Sequence, residues 1–378
     1  MDFKDLIGQE EIKRHLLQTI ENNRVPHAQL FLGKTGYGTL PAAINYAKLI
    51  LCSSSKTDQT SAKAKCDKLI HPDLHFIFPV NTTTEVKKDP TSRHFMKQFR
   101  EAFLENPYLD LNDWLKYIGI EKKQGIINVS QAHDILKDVY LKPYESDYKV
   151  IIVWMAEKLN PAASNKLLKA IEEPPEKTIF ILVAEDQEQI ISTILSRTQI
   201  VQFKRLNNDV LKAEIAKHYS LSVEELTTIL NLSNGDYHEA LRILNNDEDV
   251  LFNRNLFVNW MRLAFKKDLV GINKWVEEAS ALGREKQKAF LQFGLHIFRE
   301  AMIFNYQIHE VLQLEGAEVK FVENFSPYVH SGNLKAYMDL FSEGSYHIER
   351  NANAKILFLD LTITVMKLMK KKNPYASI

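Results

Sequence analysis

Short apolar runs alternate with amphipathic stretches through the first two hundred residues. Positions 29–32 (Gln-Leu-Phe-Leu), 75–79, 149–154, 178–184 and 199–203 read as strands. The runs at 149–154 and 178–184 are apolar nearly throughout, as in parallel strands covered on both faces. Between the strands, 41–51, 129–140, 161–173 and 187–195 carry helical patterns. Local signals mark their ends. Pro41 suits a first turn, Asn160 can cap a helix with Pro161 at its first position, and Pro174-Pro175 stops that helix. Residues 81–92 are polar and predict a flexible loop. This alternation predicts an α/β fold built on a parallel sheet.

Beyond Phe203 the pattern changes and no convincing strand follows. Helical periodicity runs over 210–218, 223–232, 237–244, 252–264 and 285–306. The expected organisation is an α/β domain over 1–204, a small helical unit over 205–248 and an all-helical domain over 249–378. A chain of 378 residues is long enough for two or three domains and a core that needs no disulfide or metal. No repeat of solenoid length is visible.

Composition narrows the function classes. Lysine plus arginine equals aspartate plus glutamate at 48 each, so the net charge is zero. Autonomous DNA binders usually carry a basic excess, because neutralising phosphates drives their affinity. Nothing here demands DNA binding by the chain alone, although a shared channel in a complex is compatible with it. The start, Met1-Asp2-Phe3-Lys4-Asp5, is charged rather than continuously apolar, unlike a leader segment. The apolar stretch 356–369 is too short to span a bilayer and contains Asp360. The expectation is a soluble cytoplasmic protein.

One loop has the setting of a phosphate-binding loop without its working side chains. Gly33-Lys34-Thr35-Gly36-Tyr37-Gly38-Thr39-Leu40 follows a strand and opens a helix. Gly33 and Gly38 have the spacing of G-x-x-x-x-G-K-[ST], but Thr39 takes the lysine position and Leu40 the hydroxyl position. The lysine would neutralise phosphate charge and the hydroxyl would ligate Mg²⁺, and neither residue present can do that work. Lys34 stands too early in the loop to substitute. Backbone amides and the helix N-terminus retain the capacity to hold an anion. The strand at 149–154 ends in Trp154-Met155, where an ATPase needs an acidic pair for Mg²⁺. Glu157 and Glu185 are near in sequence but not at that strand end. No bound nucleotide cofactor and no ATP hydrolysis are expected of this chain.

Several blocks together resemble the AAA+ subunits of bacterial sliding-clamp loaders. They are Phe3-x-Asp5-Leu6-Ile7-Gly8-Gln9-Glu10, then Pro26-His27-Ala28-Gln29-Leu30-Phe31-Leu32-Gly33, then His71-Pro72-Asp73. The most specific is Ala156-Glu157-Lys158-Leu159-Asn160, then Ala163-Ser164-Asn165-Lys166-Leu167-Leu168-Lys169-Ala170-Ile171-Glu172-Glu173-Pro174-Pro175, followed by Thr193-Ile194-Leu195-Ser196-Arg197-Thr198, which is similar to the family's Ser-Arg-Cys motif. The likeness covers about residues 1–203, and the vestigial loop favours the delta-prime branch of DNA polymerase III clamp loaders over its ATP-hydrolysing gamma/tau paralogues.

The resemblance implies an AAA+ domain with a helical lid and a helical collar that joins subunits into a ring. It implies that Arg197, flanked by Ser196, reaches a neighbour's ATP as an arginine finger, stabilising charge on the transferring phosphate. Implied partners are gamma/tau-like ATPase subunits, a delta-like subunit, the sliding clamp and, through the complex, primer-template DNA. Where the family's lid carries Gly-x-x-Arg, this chain reads Gly235-Asp236-Tyr237-His238. An ordinary imidazole is mostly neutral near pH 7, and His238 is expected to be an exposed helix residue. Many delta-prime-like proteins carry a four-cysteine zinc module. Only Cys52 and Cys66 are present here, short of the four ligands structural zinc wants. The sequence therefore predicts two reduced thiols and no metal, with His71 and His75 engaged elsewhere. The run Lys370-Lys371-Lys372 is expected to be a solvated tail.

Overall fold

The computed structural model describes residues 3–53, 58–121, 123–245, 248–307 and 317–371. The chain divides into two compact units, Met1–Leu221 with Ser233–Ala240, and Ser222–Leu232 with Leu241–Ile378.

The first unit is an α/β layer structure. In chain order it contains α1 (Glu10–Glu21), β1 (Ala28–Leu32), α2 (Thr39–Cys52), α3 (Gln59–Asp67), β2 (Leu74–Ile77), α4 (Met96–Glu105), α5 (Leu111–Tyr117), α6 (Val129–Val139), β3 (Lys149–Trp154), α7 (Pro161–Glu172), β4 (Thr178–Ala184), α8 (Ser192–Leu195), β5 (Gln199–Gln202) and α9 (Asn208–His218). The five strands form one sheet in the order β2-β3-β4-β1-β5, and every pairing is parallel.

Side chains alternate across this sheet into two cores. Phe31, Val150, Ile152, Trp154, Ile179 and Ile181 face one, with Phe99 and Trp114. Leu30, Leu32, Ile151, Val153, Phe180 and Leu182 face the other, with Leu167 from α7. Burial on both faces explains why β1, β3 and β4 read as continuous apolar runs. β5 is an edge strand, and three of its four residues are exposed.

Local chemistry sets the helix ends as the sequence predicts at α7, where the Asn160 side chain accepts from Ala163 N at 2.8 Å with Pro161 in the first turn. The expected single helix over 187–195 is instead two pieces. A 3-10 turn at Gln187–Gln189 is capped by Asp186, and α8 follows from Ser192. Ile190 and Ile191 between them are extended, and buried Ile190 packs beside Ile194. Burial of Ile190 overrides the helical pattern there. The His71-Pro72-Asp73 segment is a structural clamp. The Asp73 carboxylate accepts from Tyr144 N, Glu145 N and Ser146 N at 2.6, 2.8 and 2.8 Å, and His71 Nδ1 accepts from Asp73 N at 3.2 Å.

Two helices, α10 (Val223–Ser233) and α11 (Tyr237–Leu244), carry the chain across the division. The second unit contributes α12 (Glu248–Lys266), α13 (Leu269–Ala281), α14 (Arg284–Asn305), α15 (Ala317–Phe325), α16 (Leu334–Glu349) and α17 (Ala354–Leu368), with no strand among the described residues. Its core is aromatic. Trp260 and Trp275 stack at 4.5 Å, and Phe298 stacks on Tyr337 at 4.3 Å. Both indole N–H groups are satisfied, Trp260 by Thr362 Oγ1 at 2.8 Å and Trp275 by the Leu256 carbonyl at 3.0 Å. Leu291 and Phe298 are fully buried in this core. Lys371 is exposed and donates to the Gly332 carbonyl at 2.7 Å, while Lys372 lies outside the described residues. No helix among the described residues is long and apolar enough to cross a membrane.

Candidate functional site

The glycine loop leaves the C-terminal end of β1 and enters α2. Gly38 has φ +88°, a left-handed conformation that costs glycine least, and it closes a 3-10 turn over Thr35–Tyr37. That turn engages amides a bound phosphate would want. Tyr37 N donates to the Lys34 carbonyl at 2.9 Å and Gly38 N to the Thr35 carbonyl at 3.0 Å. A third donor is taken by a carboxylate of the same chain. Thr35 N and Thr35 Oγ1 both donate to Glu185 Oε1, at 2.8 and 2.6 Å.

A second carboxylate closes the loop from another side. A Cβ added at Gly36 would lie 1.7 Å from Asp236 Oδ1 and 2.7 Å from His238 N, so the turn before α11 rests directly on Gly36. Between Gly33 and Leu40 only Lys34 is exposed and only Tyr37 is half-buried. Thr39 and Leu40, at the positions of the missing lysine and hydroxyl, are each 2% exposed, and Leu40 belongs to the core. The amino-terminal segment pins the loop further. Gln9 Nε2 donates to the Tyr37 carbonyl at 3.1 Å and the Lys204 carbonyl at 2.6 Å, and Ile7 N donates to Tyr108 Oη at 3.1 Å.

The strand ends behind the loop are apolar where Mg²⁺ chemistry would need acids. Trp154, last in β3, packs at 5.6 Å from Phe99 in the core. The acids present sit one step away. Glu185 follows β4, and its backbone N–H donates to Glu157 Oε1 at 3.1 Å. Glu157 Oε2 is shut off from solvent without a hydrogen-bond partner. Burial, reinforced by the nearby Glu185 charge, pushes the Glu157 carboxyl up to about 7.

A carboxyl whose folded-state value exceeds its unfolded value of 4.5 stabilises the fold below that lower value. The contribution is lost as pH rises through about 7. Glu157→Gln, which keeps the acceptor for Glu185 N, should therefore gain on the parent by about 1–3 kcal/mol between pH 5 and pH 8. Urea midpoints of both proteins at the two pH values check this, and an unchanged difference contradicts it.

His238 does not stand where the sequence places it. It is 7% exposed, with Nε2 3.5 Å from Asp110 Oδ2 and 3.6 Å from Asp113 Oδ2. Burial alone would lower its pKa, but the two carboxylates prevail and hold it up at about 9. The expectation of an exposed, neutral imidazole is thus corrected. The cause lies in α5, which sequence reading leaves unassigned. Asp110 caps that helix, accepting from Asp113 N at 2.7 Å, and the i, i+3 spacing puts both carboxylates on its first turn. The N-cap pattern Asp110-Leu111-Asn112-Asp113 is the signal that could have found them.

Arg197 lies between α8 and the edge strand β5. Its side chain is 32% exposed, and Nε is ion-paired with Glu172 Oε2 of α7 at 2.7 Å. One Nη donates to the Thr193 carbonyl at 3.0 Å and to Ser196 Oγ at 3.3 Å. The Glu172 carboxylate raises the Arg197 pKa, and the guanidinium lowers that of Glu172. Ser196 is exposed. The signature helix α7 and the Ser-Arg segment are thus joined by one ion pair, and the segment leads into β5, which pairs with β1. Cys52 and Cys66 are free, half-buried and buried. Among the described residues neither joins His71 or His75 in a group of three or more ligands.

A fully parallel sheet in this order, with a glycine loop between its β1 strand and the next helix, is the α/β fold of the AAA+ class. Residues 8–207 match the family model described as DNA polymerase III, delta subunit. The chain belongs to that family. It is 26% identical over 243 residues to DNA polymerase III subunit delta' of Bacillus subtilis, covering 64% of this chain and 60% of that protein. It is 27% identical over 260 residues to DNA polymerase III subunit tau of the same organism, covering 67% and 38%. It is 26% identical over 247 residues to subunit gamma/tau of Mycoplasma pneumoniae, covering 64% and 30%. The matched part thus spans from under a third to three fifths of these relatives' lengths. A solved gamma subunit-related protein of Thermotoga maritima superposes with TM-score 0.37 at 13% identity, over 94% of this chain and 99% of that one.

Proposed function

We propose that this chain is a delta-prime-type subunit of a DNA polymerase III clamp loader. It hydrolyses no ATP itself and presents Arg197 to the ATP of a gamma/tau-like neighbour. The observation that carries this reading is the contrast between two places. The glycine loop has its amides engaged by its own turn and by Glu185, with Asp236 packed on Gly36. Arg197 instead sits at a sheet edge, part-exposed, with its charge intact and oriented by Glu172 and Thr193. Interior contacts of its own replace the ligand at the first place, and a cation is available to a partner at the second.

In this proposal residues 1–204 form the AAA+ domain, 205–248 its lid and 249–378 a collar. The complex acts on a sliding clamp and primer-template DNA, with a delta-like subunit as a further partner. Co-purification with gamma/tau-like and delta-like subunits, with mass measured on the intact assembly, tests this. One stable assembly containing the chain is expected, and its consistent absence refutes the assignment. The second reading is an ATP-hydrolysing gamma/tau-type subunit, favoured by the tau and gamma/tau relatives. Micromolar Mg²⁺-ATP binding by the isolated chain would select it.

A further inference from the structure

Beside the glycine loop, three side chains converge that neither a phosphate nor an arginine-finger role uses. Asp110 and Asp113 come from the start of α5 and His238 from the first turn of α11. One ligand atom from each lies within 4.8 Å of the other two, and among the described residues no other group of His, Cys, Asp and Glu meets that condition.

The acidic pair alone would mean little, since such pairs are common on helix starts. His238 is the second observation. It is 7% exposed, neither ring nitrogen makes a close hydrogen bond, and Nε2 has only the two ion-pair contacts to Asp110 and Asp113. A buried polar group left without hydrogen bonds is uncommon and calls for a physical cause. Its Nε2 points between the carboxylates, 3.5 Å from one oxygen and 3.6 Å from the other. Those separations exceed N–H···O hydrogen bonds, which cluster near about 2.9 Å. They match atoms that share a metal. With bonds of about 2.0–2.1 Å in a tetrahedron, ligands stand about 3.3–3.4 Å apart.

We propose that Asp110, Asp113 and His238 bind a divalent transition-metal ion of the zinc class. One imidazole nitrogen with two carboxylate oxygens suits a borderline ion better than Mg²⁺, which prefers an all-oxygen octahedron. Three protein ligands leave a fourth position for water. The Asp113 side chain is 41% exposed, which gives the ion a way in from solvent. The ion would tie the N-terminus of α5 to that of α11. Because Asp236 and the His238 backbone rest on Gly36, the same tie would hold the glycine loop closed. The site is independent of the function proposed above. None of its ligands is among the residues that hold Arg197, and a metal could bind here whether or not the chain joins a complex.

The test uses the full chain stripped with EDTA and titrated calorimetrically with ZnCl₂. Cys52→Ser/Cys66→Ser serves as background, because thiols also take zinc. One Zn²⁺ per chain is expected in that background, with a raised Tm. Asp113→Asn and, separately, His238→Gln should each weaken binding more than about tenfold, since even supporting residues around a metal contribute that much. Asp113→Asn changes a part-exposed carboxylate that is not the helix cap, so it reports on binding even if the buried His238 variant folds poorly. Absence of stoichiometric binding in the cysteine-free background overturns the proposal. So does an affinity unchanged by Asp113→Asn and by any folded His238 variant.

Discussion

Arg197→Ala should lower ATP turnover at the neighbouring site of an assembled clamp loader by about three orders of magnitude, the low end of what arginine fingers contribute. A guanidinium stabilises the charge that builds on the phosphoryl oxygens during transfer, and no other group offers the same planar fork. Ser196 and Thr193 orient that fork, and Glu172 keeps it from swinging freely. Arg197→Lys should therefore recover little of the rate. The change should leave the fold alone, because the residue is part-exposed and its partners lie on the surface. Steady-state ATPase rates of the reconstituted complex, with Tm as a control, give the answer. A normal rate in a stable Arg197→Ala complex removes the assigned role.

The other large effect concerns an attempt to repair the loop. Thr39→Lys/Leu40→Thr restores the G-x-x-x-x-G-K-T pattern on paper. It should not restore ATP binding, and it should destabilise the protein by about 2–5 kcal/mol. Leu40 is 2% exposed within the main core, so threonine there loses apolar contacts and buries a hydroxyl. A lysine at the 2%-exposed Thr39 position enters a place with no phosphate to meet it. The obstacles that matter stay in place. Glu185 still takes the Thr35 amide and hydroxyl, Asp236 still sits on Gly36, and Trp154 still ends β3. Isothermal titration with Mg²⁺-ATP and a urea melt of the double variant measure both halves. Micromolar binding would show that the side chains alone had been missing.

The parts of this picture that were legible in the sequence are those written in local pattern. The apolar runs at β3 and β4 announce strands buried on both faces, and Asn160-Pro161 announces the start of α7. The replacement of lysine and hydroxyl by Thr39 and Leu40 is visible without coordinates. What was not legible depends on residues far apart in the chain. Glu185 meets Thr35 across 150 positions, and no spacing rule connects them. His238 looks like an exposed helix residue until α5 is folded against it, with Asp110 and Asp113 brought from more than a hundred residues upstream. The pause in the helical pattern at Ile190-Ile191 is likewise a tertiary effect, because burial of Ile190 decides it.

In the proposed division of labour, the glycine loop here is unresponsive and Arg197 serves a neighbour. That division is tested most directly by the rate of Mg²⁺-dependent ATP turnover of the purified chain alone, beside that of the same chain mixed with a gamma/tau-like ATPase subunit. No catalytic turnover is expected of the chain alone, and Arg197-dependent turnover is expected in the mixture. Sustained hydrolysis by the chain alone, insensitive to Arg197→Ala, would contradict that division.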